Sequence, residues 1–85
     1  MDPIVWIKNW FKEKVGLSNQ ELDSNLKENY FEKGWIDSFT FISFISDLEK
    51  TYRIRFSNEE FQKEEFLTIE GLADIVRRKV GERRI

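Results

Sequence analysis

The feature that most restricts this chain is the spacing of its apolar side chains, which fall three and four residues apart along three separate stretches. A helix turns every ~3.6 residues, so this spacing gathers them on one face of a helix. In the first stretch Ile4, Ile7, Phe11 and Val15 share such a face. Asp2 suits the N-cap, and Pro3, the one proline, stands at the first helical position, where its missing N–H costs nothing. Gly16 suits the left-handed residue that closes a helix. The first helix is therefore predicted over roughly 3–15. In the second stretch, placed at about 100° per residue, Phe41, Phe44, Ile45, Leu48 and Tyr52 cluster in one arc. That helix is predicted from about Ser38 to Tyr52, with Asp37 as its N-cap. In the third, Ile69, Leu72, Ala73, Ile75, Val76 and Val80 supply a packing face behind Thr68, the expected cap.

Between the first two helices lies a long connection, residues 17–36. Ser18 and Glu21 have capping-box spacing, so a single helical turn is expected to start there. Leu17, Leu22, Leu26, Tyr30 and Phe31 follow no strict period and are expected to pin the loop to the core, as are Trp35 and Ile36. Connections this long are unusual in a small domain and often functional. Gly34 permits a sharp approach to the next helix. In the link 53–57, Ile54 and Phe56 alternate with Arg53 and Arg55, a pattern that allows a brief extended piece. Ser57 and Glu60 again have capping-box spacing and open a short helix containing Phe61. Three long helices plus one short one make a small all-α bundle. At 85 residues the chain has length for one domain, 1–85, with residues 81–85 as a basic C-terminal tail.

Residue types exclude several functions. Without Cys there is no disulfide framework and no thiolate metal site. Without His the commonest general base and the commonest metal ligand are both missing. No carboxylate pair stands at a useful spacing, so the chain is not expected to be an enzyme or to hold a metal. Residues 77–85 hold five basic residues and one acidic one, leaving 9 basic against 15 acidic residues in the rest. The basic end complements the dipole of the last helix and is expected to stay solvated. An acidic body disfavours nucleic acid and favours basic protein surfaces. The N-terminus carries Asp2 and Lys8 with no apolar signal region behind them, and no apolar run matches a bilayer. A cytoplasmic monomer without stable membrane insertion is the expectation.

One detail of the second helix is left unexplained by its own amphipathicity. Thr40, Ser43, Asp47 and Lys50 lie opposite the core arc, yet Phe39 falls among them, and Ile42 sits at the margin beside Ser38. The run Gly34-Trp35-Ile36-Asp37-Ser38-Phe39, followed by the apolar helix to Tyr52, resembles the phosphopantetheine attachment site of acyl and peptidyl carrier proteins. That family shows a Gly, one or two apolar or small residues, then Asp-Ser-Leu or a relative of it at the start of the second helix. The order of elements is similar too, over about residues 4–80. The resemblance implies an acyl carrier protein fold and a discrete acyl carrier protein. Ser38, beside Asp37, would bear a covalent 4′-phosphopantetheine arm that holds acyl intermediates as thioesters. Phe39, Ile42, Ser43 and Ser46 would form the surface read by partners. Those partners would be a phosphopantetheinyl transferase and the acyl-activating or acyl-transferring enzymes. A helix start is physically suited to this, because free N–H groups and the positive end of the dipole stabilise an attached phosphodiester. Plain helix capping by Asp37 and Ser38 accounts for the same two residues without any arm.

The sequence also departs from the family's pattern. Members that serve fatty acid synthesis carry a strongly acidic second helix, whereas positions 39–46 here contain no acidic residue. Charge complementarity selects partners, so a specialised carrier with a more apolar, hydroxyl-rich face is expected instead. The segment Glu60-Phe61-Gln62-Lys63-Glu64-Glu65-Phe66 resembles the matching region of D-alanyl carrier proteins, which move an activated amino acid. An aminoacyl carrier is thus one alternative, and a helical protein–protein interaction domain without a prosthetic group is another.

Overall fold

Local capping chemistry sets where each helix begins. In the computed structural model, which describes residues 1–83, α1 spans Pro3–Val15. The Asp2 carboxylate accepts the Ile4 N–H, and Gly16 closes the helix at φ 83°. α2 spans Asn19–Asp23 and opens with a complete capping box between Ser18 and Glu21. α3 spans Ser38–Tyr52, and α4 spans Asn58–Phe61 behind a second capping box, Ser57 with Glu60. α5 spans Ile69–Arg83, and its first turn is capped by Thr68 Oγ1, which accepts the Gly71 N–H at 3.0 Å. These bounds agree with the sequence expectations.

A 3-10 helix over Glu64–Leu67 was not expected. Its pattern is too short to show a period, and its shape is imposed by packing against α5. At Gly71 of α5 an added Cβ would lie 2.1 Å from the Glu65 carbonyl oxygen, so only glycine lets the two backbones meet this closely. The link 53–57 forms no strand either. Arg53 adopts φ 54° and ψ 49°, and the N–H groups of Arg53 and Ile54 both donate to the Glu49 carbonyl, closing α3 instead. Ile54 then turns inward and is buried.

Phe44 of α3 is the hub of the core. Its ring lies 4.7 Å from that of Trp10, 5.3 Å from Phe11 and 6.2 Å from Tyr30. Each such aromatic pair contributes about 0.5–1.5 kcal/mol beyond area burial. Ile7 and Phe11 of α1, Leu48 of α3, and Leu72 and Val76 of α5 complete it, all fully buried. Phe41 and Tyr52, assigned to the core arc, are only half-buried at its edge.

The long connection is held by the scattered side chains predicted to pin it. Leu22, Tyr30 and Ile36 are buried, and Leu17, Leu26, Phe31 and Trp35 pack against the core. Its backbone is tied down as well. Tyr30 N–H donates to the Leu67 carbonyl and Glu70 N–H to that of Leu26, while Asn29 bridges Thr68.

Gly81 and Glu82, at the start of the segment expected to be a solvated tail, are exposed. Residues 81–83 continue α5, and Arg84 and Ile85 lie outside the described residues. Upstream, Arg77 pairs with Asp2 and Asp74, Arg78 with Glu65, and Lys79 with Glu60. The last pair is mostly shielded from water, and the Lys79 ammonium lies 5.8 Å above the Phe56 ring. These cations fasten α1, α4 and the 3-10 helix to α5. No helix among the described residues is long and apolar enough to cross a membrane.

Candidate functional site

The start of α3 is positioned from below by the connection that precedes it. Asn29 Oδ1 accepts the N–H groups of Phe31 and Glu32, winding residues 29–35 into a compact turn. Gly34 ends that turn at φ 73°, a conformation that favours glycine. The Tyr30 ring, fully buried, meets Phe11 and Phe44, and its hydroxyl donates to the Phe66 carbonyl at 2.5 Å. Burial holds that hydroxyl protonated well above the ordinary phenol range. Trp35 then packs on Phe11 and Ile36 is buried, so the chain surfaces at Asp37 with little freedom.

Asp37 is the N-cap of α3 in extended geometry, and its Oδ1 accepts the Thr40 N–H at 2.8 Å. That backbone bond, helped by the Thr40 hydroxyl, holds the Asp37 carboxyl below the usual carboxylate range. Ser38 is the first helical residue and is exposed. Its Oγ has no hydrogen-bond partner among the described residues, so capping is done by Asp37 and not by Ser38. The hydroxyl therefore stands in solvent beside first-turn N–H groups that the helix itself cannot satisfy. This geometry suits a phosphodiester ester-linked to Oγ, which needs outward room and benefits from the positive end of the helix.

The expected partner-contact residues fall on one outward face of α3. Phe39 is 87% exposed and Ile42 68%, the two most exposed large apolar side chains of the helix. Ser43 is exposed on the same face, and Ser46 is half-buried. Beside this face an apolar dent of about 240 Å³ lies between α3 and Phe61 of α4.

Sequence reasoning missed what lies on the other flank. Asp47, placed on the polar side of the helix wheel, accepts the indole Nε1–H of Trp10 at 3.0 Å. Together with Lys14, Phe39, Thr40 and Ser43 they line a groove of about 500 Å³ between α1 and α3. The one available signal was Trp10 itself, three residues after Ile7 and hence on the edge of the apolar face of α1.

Comparison with known proteins bears on the same segment. Residues 5–76 match the family model of the phosphopantetheine attachment site. No curated protein and no solved structure matches the chain.

Proposed function

The chain belongs to the phosphopantetheine attachment site family and is a phosphopantetheine-bearing carrier protein, and from this premise we propose that Ser38 bears the arm and that it holds acyl groups as thioesters for biosynthetic enzymes. The observation that carries the assignment to Ser38 is its hydroxyl: exposed, without a hydrogen-bond partner among the described residues, and first in a helix within the matched segment. Bound there, 4′-phosphopantetheine supplies a terminal thiol on a flexible chain, the group that forms the thioester.

The protein's own residues supply position and recognition, not bond-making. Asp37 caps the helix by taking the Thr40 N–H, so the Ser38 hydroxyl is not needed as the cap and stays exposed. The sequence contains no His to serve Ser38 as a base, which fits activation by a separate transferase. Phe39, Ile42, Ser43 and Ser46 form the face that this transferase and the acyl-handling enzymes read. Fully burying a side chain such as Phe39 on docking is worth roughly 1.5–3 kcal/mol, enough to orient the serine toward a partner.

Intact mass measurement after incubation with coenzyme A and a broad-specificity phosphopantetheinyl transferase tests this. The wild-type chain gains the mass of one arm, and Ser38→Ala gains none while remaining folded. An unmodified wild-type chain, or a modified Ser38→Ala variant, refutes the assignment.

A further inference from the structure

The groove between α1 and α3 has two ends of opposite charge. It begins beside Ser38, at Phe39 and Thr40, and extends along α3 to Asp47. Nine residues of helix separate Ser38 from Asp47, a rise of roughly 14 Å. α1 runs antiparallel to α3, since the Tyr52 hydroxyl donates to the Met1 carbonyl while the Trp10 ring lies over Phe44 and Asp47. Lys14, one turn beyond Trp10, therefore lies toward the Ser38 end. Its ammonium has no carboxylate partner among the described residues. At the far end the Asp47 carboxylate is held in place by the Trp10 indole on Oδ2, and its Oδ1 has no hydrogen-bond partner among the described residues. Thr40 and Ser43 line the groove along the same stretch of α3.

We infer that this groove receives the loaded arm and selects a cargo with a free ammonium, an aminoacyl group. The inference rests on Ser38 carrying the arm. An arm joined at Ser38 is anionic at its phosphodiester root, which Lys14 faces. An aminoacyl thioester is cationic at its tip, which Asp47 faces after the arm has run the length of the groove. The amides of the arm meet the hydroxyls of Thr40 and Ser43 on the way. A plain acyl chain has the anionic root but offers nothing to Asp47, whose carboxylate it would desolvate without return. An Asp47 that served only to tie α1 to α3 would be indifferent to the cargo, and this separates the two accounts.

Two coenzyme A analogues with amide-linked glycyl and propionyl tips have nearly the same shape and differ by an ammonium in place of a methyl. A broad-specificity transferase loads each onto the chain, and intact mass confirms loading. The indole ¹H–¹⁵N resonance of Trp10 then reports on Asp47. The glycyl arm is expected to move that resonance away from its position in the propionyl form. The displacement should vanish in Asp47→Asn, which keeps an oxygen for the indole, and should shrink as salt screens the pair. Coincident Trp10 resonances for the two arms overturn the inference, and this wild-type comparison decides even where Asp47→Asn does not fold. A chain that gains no mass fails earlier, at the Ser38 assignment, and overturns both.

Discussion

The Tyr30 hydroxyl donates to the Phe66 carbonyl across 36 residues of sequence, at 2.5 Å and out of contact with water. This bond joins the connection ahead of α3 to the 3-10 helix ahead of α5. It thereby sets the height at which Asp37 and Ser38 emerge. Replacing Tyr30 with Phe keeps the ring and leaves a buried carbonyl without a partner. Tyr30→Phe should lower stability by about 1–3 kcal/mol, read as a shift of the urea midpoint at unchanged slope. A midpoint within error of wild type would show that the bond adds nothing.

The two glycines of α5 should respond in opposite directions. At Gly71 an added Cβ meets the Glu65 carbonyl at 2.1 Å, so the 3-10 helix must move off α5. Gly71→Ala is expected to cost about 1–3 kcal/mol through overpacking. At Gly81 nothing lies within 4 Å of the added atom. Gly81→Ala there should stabilise by about 0.5–1 kcal/mol, since alanine gives up less backbone freedom on entering a helix. Thermal denaturation of both variants checks the pair.

Acid should weaken the fold as pH falls through the carboxylate range and below it. The side-chain bond from Arg77, with the Ile4 N–H, lowers the Asp2 carboxyl. The Thr40 backbone bond lowers Asp37. At Glu60 burial pushes upward, but the Ser57 N–H and the Lys79 ammonium outweigh it and the group is lowered. Each folded-state pKa thus lies below its unfolded value. Their stabilisation is fully present above the unfolded carboxylate range, near pH 4, and is lost as pH falls through the folded values. Melting temperature measured against pH should be flat near neutrality and decline on the acid side. In Lys79→Met, which removes one of the causes at Glu60, the decline should be shallower. An equal acid decline in the variant would exclude the pair as a contributor.

The outward apolar side chains of α3 should matter to partners and not to folding. Phe39→Ser and Ile42→Ser remove exposed side chains, so the melting temperature should stay near that of wild type. The transferase kcat/KM should fall roughly tenfold or more in the double variant, the equivalent of about 1.4 kcal/mol of docking energy. Unchanged modification kinetics would move the recognition face elsewhere.

How much of this was legible beforehand follows from the range of the interactions. Caps and apolar stripes involve residues two to four apart, so Asp2, Ser18, Asp37, Ser57 and Thr68 marked their helices correctly from sequence. The motif proposed for attachment was visible for the same reason: Asp37, Ser38 and Phe39 are consecutive, and Phe39, which is exposed, stood out against the wheel. The 3-10 helix at Glu64–Leu67 left no such mark, because a single turn carries too few positions for a period.

Taken alone, then, the order of residues determined the three long helices, which faces they bury, and the serine that opens α3. Tertiary structure decided how those rods meet: Tyr30 on Phe66, Trp10 on Asp47, and Lys79 on Glu60 are each separated by 19 to 37 positions. Partners that distant are chosen by the packing of the whole core, which no local pattern encodes. The charged groove beside Ser38 is a product of that packing, since its two walls come from different helices.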